Sequence, residues 1–164
     1  MHRFLVTALL LCAVGAASAQ NYASGEHVLD SAKGELRINV GLVSHLNAHT
    51  FHVYTFQFRP SGETAWHQLP LVRDAADPAL DFILTRTATA DFTTRDARLA
   101  VNGPAPGLAI AALEYEDTPY DDDARVRVET FALKRLDEEG RWIFEKQGES
   151  LAAPGTTIEE ALRP

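Results

Sequence analysis

Apolar and polar residues alternate along much of this chain, most clearly in two neighbouring stretches. In residues 35–43 every second residue is apolar, which predicts a half-buried strand. Residues 50–58 form an aromatic and β-branched run with apolar groups on both faces, which predicts a central, largely buried strand. The short link between them indicates antiparallel neighbours. The apolar positions of the first stretch are Leu36, Ile38, Val40 and Leu42.

The rest of the chain predicts further strands separated by turn-forming residues. A short strand is expected at residues 28–29. Longer strands follow at hairpin spacing in residues 66–72, 80–87, 91–101, 108–115, 125–136 and 141–146. Pro70 interrupts the first of these, which therefore lies at an edge or is bulged. In the fifth, the apolar positions change face between Val128 and Phe131, which predicts a bulge near Thr130.

Many strands at hairpin spacing, without repeats or a linker, predict one all-β domain over residues 20–164. Its architecture is an antiparallel β-sandwich or a curled sheet, and periodicity leaves both open. Residues 156–163 predict a short C-terminal helix, because Thr157 and Glu160 have the spacing of a capping box. A helix of that length needs packing against the sheet to persist.

The N-terminal residues predict a secretory signal peptide over residues 1–19. Arg3 provides the positive start, residues 4–13 the apolar segment, and residues 17–19 a small-residue cleavage site. The apolar segment is shorter than the roughly 20 residues of a membrane span. Cys12 falls inside this segment, so the mature chain has no cysteine, and neither a disulfide nor thiol catalysis is expected.

The net charge of the chain limits the classes of partner that it can bind. The chain has a formal net charge of −8, which fits poorly with nucleic acid or an anionic lipid surface, since both require clustered cations. A basic protein partner is compatible with this charge. The simpler interpretation is that the charge keeps a secreted domain soluble.

Catalytic motifs are missing from the sequence. It has no G-x-S-x-G elbow, no S-x-x-K, no H-E-x-x-H and no phosphate-binding loop. We therefore expect a non-enzymatic protein without a cofactor. A metal site could still be assembled from His45, His49, His52 and His67. On one strand, however, His49 and His52 face opposite sides, so we favour structural roles for these imidazoles.

An acidic loop is predicted after residue 115. Its carboxylates, together with the preceding Glu114, are Glu116, Asp117, Asp121, Asp122 and Asp123. The spacing of an EF-hand is absent, so a calcium site is not favoured. The loop is either a solvated segment or a patch that binds a basic protein partner.

Several short segments resemble the CarG-like carbapenem intrinsic-resistance proteins. They are Asn47–His49 followed by the aromatic strand, Trp66–Pro70, Ala90–Asp96, Tyr120–Val126 leading to Phe131–Leu133, and Thr157–Leu162. The family pattern has cysteines at the position of Phe92 and near Thr157. Both are absent here, as they would be if packing had replaced a disulfide.

The resemblance implies a small periplasmic protein that protects the cell from a carbapenem without being a β-lactamase. A bound β-lactam carboxylate would need a cationic or imidazole partner, so the tentative ligand-binding residues are His49, His52, Arg59 and Trp66. The alternative is a periplasmic immunity protein or hydrolase inhibitor that acts through the acidic loop. A metalloenzyme built on the histidines ranks third.

Overall fold

The computed structural model describes residues 22–44, 51–74, 76, 79–101 and 105–163. Within these ranges the chain forms ten strands and one short helix. The strands are β1 (Gly25–Ser31), β2 (Gly34–Val43), β3 (Phe51–Pro60), β4 (His67–Leu69), β5 (Leu71–Val72), β6 (Leu84–Ala88), β7 (Thr93–Ala100), β8 (Gly107–Glu114), β9 (Arg125–Leu136) and β10 (Arg141–Leu151). The helix is α1 (Ile158–Ala161). The all-β class predicted from the sequence is confirmed.

The ten strands form a single sheet in the order β1-β2-β3-β6-β7-β8-β9-β10-β5, and β4 pairs with β3. Since β4 and β5 are separated only by Pro70, they connect β3 to β10 and curl the sheet. Of the two architectures left open, the structure thus has the curled sheet. The pairing of β5 with β10 is parallel and the other strand pairs are antiparallel, so the prediction of antiparallel pairing holds except at this short strand.

The alternation in β2 and β3 places one face of each strand in the main core, which lies on the concave side of the sheet. Leu36, Ile38 and Val40 of β2 are at most 5% exposed, as predicted. The core ends there, since Leu42, two residues further on, is 53% exposed. In β3 the burial is one-sided. Its core face consists of Tyr54, Phe56 and Phe58, whereas the opposite face is half-buried.

Strand β9 is regular where a bulge was predicted. Val126 packs beneath α1 on the outer face of the sheet, whereas Phe131 and Leu133 pack in the main core on the concave face. The apolar residues of β9 change from one face to the other because the strand contributes to two cores, one on each side of the sheet. The irregularity lies in the neighbouring strand β10, between Lys146 and Gly148. The bulge near Thr130 was therefore assigned to the wrong strand.

The segment around Pro70 behaves as its sequence suggested, because the strand breaks at the proline. The chain leaves β3 after Leu69 and pairs with β10 from Leu71 onward. The strand predicted from residue 80 begins only at Leu84. Before it, Asp81 forms an isolated bridge with Leu71, and Phe82 is 44% exposed.

The C-terminal helix begins as predicted. The Thr157 hydroxyl accepts a hydrogen bond from the Glu160 amide, and the Glu160 carboxylate accepts one from the Thr157 amide. Ile158 and Leu162 bury their side chains against Ala111 and Val126. The helix therefore persists by covering the outer face of β8 and β9. In the described part of the chain no helix has the length and apolarity needed to cross a membrane.

Candidate functional site

The concave face of the sheet opens at one end into a cavity of about 610 Å³ that is lined mainly by charged side chains. We call it the basic pocket. Its lining residues are Arg73, Asp81, Ile83, Arg95, Ala112, Arg127, Glu129 and Lys146. Four of them are cationic and two are anionic, so the lining has a formal charge of +2 in a chain of net charge −8.

Strand register sets the floor of the basic pocket. Arg95 of β7 pairs with Ala112 of β8, which in turn pairs with Arg127 of β9. The three residues form one row across neighbouring strands. Two residues along each strand, the next row is Ala97, Ile110 and Glu129, and Ala97 and Ile110 belong to the main core. Because strand side chains alternate, the first row also faces the concave side, with a small residue between two arginines.

A short crossing segment supplies the opposite wall. Arg73 follows β5, which pairs with β10. Further along the chain, Asp81 lies beside β5 because two backbone hydrogen bonds join it to Leu71. The Arg73 guanidinium forms an ion pair with Asp81, and lies 5.9 Å from the ring centroid of Phe131. This wall of the pocket is thus attached to the main core.

Glu129 neutralises two of the four cations. It is 8% exposed, and its Oε1 lies 2.9 Å from Lys146 Nζ while its Oε2 lies 3.4 Å from Arg73 Nε. Burial disfavours the charged carboxylate, but hydrogen bonds and charges from Lys146 and Arg73 outweigh it and lower the pKa of Glu129. Lys146 Nζ also donates a hydrogen bond of 2.6 Å to Glu149, and its hydrogen bonds to Glu149 and Glu129 raise its pKa.

The other two cations keep unused hydrogen-bond donors. The Nε atoms of Arg95 and Arg127 are buried and have no partner among the described residues. Arg127 reaches Glu114 through Nη2 at 3.1 Å. Arg95 forms no ion pair in the described part of the chain, and burial, followed by the charge of Arg73, lowers its pKa. Both side chains also line the basic pocket, where Arg95 contributes a guanidinium group without a direct carboxylate partner among the described residues.

Two of the tentative ligand-binding residues from the sequence, Arg59 and Trp66, lie on another part of the sheet. Arg59 forms an ion pair with Glu35, and its guanidinium stacks 4.7 Å from the Trp66 ring. Arg37 packs 4.1 Å from the same ring. Arg59 and Arg37 alternate with the core positions of β3 and β2, so this cluster lies on the outer face. Neither Arg59 nor Trp66 lines the basic pocket, and their role as ligand-binding residues stays a prediction.

The histidines are not gathered into one site within the described ranges. His45 and His49 lie outside those ranges. His52 is in β3, in register with Arg86 of β6, and His67 pairs with Glu63 at 2.8 Å. No group of three or more histidine, cysteine, aspartate or glutamate side chains is placed to hold a metal ion in the part of the chain that the structure describes.

The acidic loop is braced by its own side chains. The Asp121 carboxylate accepts hydrogen bonds from the Asp117 and Thr118 amides and from the Thr118 hydroxyl, at 2.9–3.1 Å. These bonds, led by those from Thr118, lower the pKa of Asp121. The Tyr120 hydroxyl donates to Asp91 at 2.8 Å. Asp121 therefore supports the loop, whereas its other carboxylates, Glu116, Asp117, Asp122 and Asp123, are exposed.

Phe92 and Thr157, the positions at or near which the resembling family has cysteines, both line a cavity of about 280 Å³ between α1 and the acidic loop. The Phe92 ring also packs edge-on against Tyr120, with 5.3 Å between centroids. The replacement of a disulfide by packing at these positions stays a prediction.

The basic pocket was missed at the sequence level, although a signal was present. Arg127 and Glu129 share the strand phase of Phe131 and Leu133, so charged residues continue an apolar face. Arg95 likewise shares the phase of Ala97 and Leu99. Charges at positions predicted to face the core are uncommon unless paired or functional.

Comparisons with known proteins give one informative match. No protein-family model matches the chain, and no curated protein matches it. A solved structure described as "Crystal structure of CarG" is similar, with a TM-score of 0.64 and 17% sequence identity over 87% of this chain and 90% of that chain. At this identity the match establishes a CarG-like fold.

Proposed function

We propose that this protein is a secreted, periplasmic, non-enzymatic domain that protects the cell by binding a carbapenem-like small molecule in the basic pocket. The CarG-like fold and the segments quoted for the family support the class. The main observation in favour of this ligand is the basic pocket itself, a concave site with a net positive lining in an acidic protein.

The chemistry of the pocket matches that of the ligand. A carbapenem has a carboxylate on its fused ring system, which is ionised at neutral pH. Guanidinium groups bind carboxylates through charge-assisted hydrogen bonds. Ile83 and Ala112 add apolar surface beside the four cations. Small-molecule sites commonly combine such surface with a few convergent polar groups.

The lining also supports binding without hydrolysis. It contains no serine, threonine, cysteine or histidine side chain. Lys146 supplies the amine of the lining, but its raised pKa keeps it protonated beside Glu129 and Glu149. A protonated amine has no lone pair with which to attack a β-lactam carbonyl.

Thermal unfolding tests binding. Purified protein lacking residues 1–19 is heated with a carbapenem, with a penicillin as the comparison β-lactam, and alone. A ligand at a hundred times its Kd adds about 2.7 kcal/mol, which raises the Tm of a domain of this size by roughly 5–10 °C. A carbapenem-selective rise, with the β-lactam recovered intact, supports the proposal. No rise at millimolar carbapenem, or steady loss of the β-lactam chromophore, overturns it.

A second candidate function rests on the acidic loop. Its bracing by Asp121 and Tyr120 leaves exposed carboxylates on an ordered segment, which suits an immunity protein or inhibitor that recognises a basic enzyme. Association should then slow with added salt. Replacing Asp122 and Asp123 together by asparagine should weaken capture of such a partner and leave carbapenem binding unchanged.

A further inference from the structure

We infer that the floor of the basic pocket is an oxyanion site in which the guanidinium groups of Arg95 and Arg127 bind one carboxylate or phosphate group of a small molecule. This inference rests on the proposed function, because both place the ligand in the basic pocket. It goes further by naming the recognised group and the residues that anchor it.

The row Arg95-Ala112-Arg127 provides the geometry. Each arginine is one strand away from Ala112, so their Cα atoms are roughly 10 Å apart across two strand spacings. The methyl group of Ala112 leaves the space between the two side chains open to the cavity. An oxyanion placed there accepts from both guanidinium groups at once.

Charge pairing around the pocket shows why an anion fits. Glu129 satisfies Arg73 and Lys146, and Glu114 satisfies Arg127 only through Nη2. Arg95 forms no ion pair within the described residues, although Glu129 and Asp81 are near enough to act on its charge. The floor of the pocket therefore holds one guanidinium group without a direct carboxylate partner. An anion from solution can pair with it without displacing an internal ion pair.

Arg95 is the anchoring residue in this arrangement. Arg95 is half-buried, and the charges of Arg73 and Arg127 repel its guanidinium group, whereas Glu129 and Asp81 attract it without forming an ion pair. Binding an anion relieves that repulsion, whereas a neutral or cationic ligand would not. This property separates a ligand site from a purely structural ion-pair network, in which each cation would have its own carboxylate.

The test is isothermal titration of the purified protein with defined probes at constant low ionic strength. Inorganic phosphate represents the phosphate class, benzoate the carboxylate class, and a carbapenem the proposed ligand. Four proteins are compared: wild type, Arg95→Gln, Ala112→Leu and Arg135→Gln. Arg135 is an exposed arginine of the same strand as Arg127 and does not line the pocket, so Arg135→Gln is the control for net charge.

We expect Arg95→Gln to weaken oxyanion binding by about tenfold or more, which corresponds to the loss of one charge-assisted hydrogen bond. Ala112→Leu should cause a similar loss with all charges retained, because it fills the floor. Arg135→Gln should stay within about twofold of wild type, since an exposed charge acts only through screened, long-range attraction. Stronger binding of benzoate than of phosphate assigns the site to carboxylates, and the reverse order assigns it to phosphates.

A second readout does not depend on any ligand. Arg95→Gln should leave the Tm of the empty protein unchanged or higher, because it removes a half-buried cation that forms no ion pair among the described residues and lies near Arg73 and Arg127. A clearly lower Tm would mean that Arg95 is a structural residue and would overturn the inference. Equal losses of binding in Arg95→Gln and Arg135→Gln, or no binding of either simple anion at millimolar concentration, would also overturn it.

The outcomes separate the inference from the proposed function. Binding of benzoate or phosphate that requires Arg95, with no binding of a carbapenem, supports the oxyanion site and overturns the carbapenem ligand. Carbapenem binding that Arg95→Gln and Ala112→Leu leave unchanged supports the proposed function and overturns the oxyanion site.

Discussion

The Tyr54 hydroxyl donates a hydrogen bond of 2.9 Å to Oδ1 of Asp96, and this bond joins β3 to β7 across β6. Both residues are buried, at 0% and 4% exposure. The Ala97 amide also donates to Oδ1, and Arg86 Nε lies 3.0 Å from Oδ2. Both oxygens of the buried carboxylate are therefore engaged, and its hydrogen bonds tie β3, β6 and β7 together.

Tyr54→Phe removes one donor from this carboxylate without creating a cavity. We expect the free energy of unfolding to fall by about 1.5–3 kcal/mol, the value of a hydrogen bond to a charged group. Chemical denaturation measures it. Tyr120→Phe is the matched control, because the exposed Tyr120 hydroxyl also donates to an aspartate, Asp91. A loss in Tyr120→Phe as large as that in Tyr54→Phe would contradict the prediction.

Alkaline pH should destabilise the protein through its buried tyrosines. Burial raises the pKa of Tyr22, and burial with the charge of Asp96 raises that of Tyr54. The unfolded chain thus ionises first, so stability is full below the ordinary tyrosine pKa of 10.0 and falls as the pH rises above it. Denaturation midpoints measured across this range should fall less steeply in Tyr54→Phe. If the midpoints of wild type and Tyr54→Phe fall with pH at the same rate, Tyr54 is not a cause of the alkaline destabilisation.

Glu129→Gln removes the carboxylate that holds Arg73 and Lys146 together. We expect a loss of about 1–3 kcal/mol, less than for a fully buried pair because both partners are partly exposed. The pKa of Glu129 is lowered in the folded state, so its contribution is present above 4.5 and disappears as the pH falls. Stability of the variant should depend less on pH in the acid range, and an unchanged acid slope would argue against this role.

Thr157→Ala removes the N-cap of α1. The expected cost is about 1 kcal/mol, measured by thermal or chemical unfolding. Glu159→Gln changes a neighbouring residue of the same turn that takes no part in the capping box, and should have a smaller effect. The prediction fails if both variants lose the same stability.

Gly34 and Gly41 are both in β2 and should respond differently to alanine. At Gly34 φ is +139°, and an added Cβ would collide with the Arg59 carbonyl oxygen and lie 2.9 Å from Pro60 Cα. At Gly41 the nearest atom would be 3.8 Å away. Gly34→Ala should therefore lose at least about 1–3 kcal/mol from backbone strain, while Gly41→Ala should be neutral or slightly stabilising. Equal free energies of unfolding for Gly34→Ala and Gly41→Ala would exclude backbone strain at Gly34 as the cause.

Local patterns were sufficient for the elements in which a residue depends mainly on its chain neighbours. The core face of β2 follows from the alternation of Leu36, Ile38 and Val40, and α1 begins at the predicted capping box. The acidic loop was likewise predicted, because proline and aspartate favour turns irrespective of distant contacts.

Predictions failed where a strand depends on a partner that is distant in sequence. The apolar phase of β9 changes because α1 covers one of its faces, which no pattern within residues 125–136 reveals. The break at Pro70 was visible in the sequence, but the pairing of Leu71 with Phe144 was not, since a two-residue parallel strand has no periodicity of its own.

The amino-acid sequence alone defined an all-β chain with a predicted secretion signal, an acidic loop and a resemblance to CarG-like proteins. Tertiary structure decided the curl of the sheet and the position of the candidate site. Arg95 and Arg127 are 32 positions apart in the sequence, and they line the same cavity only because each is in register with Ala112. The register of three strands depends on the summed packing of their side chains. The site that Arg95 and Arg127 form could therefore not be predicted from residue types or local spacing.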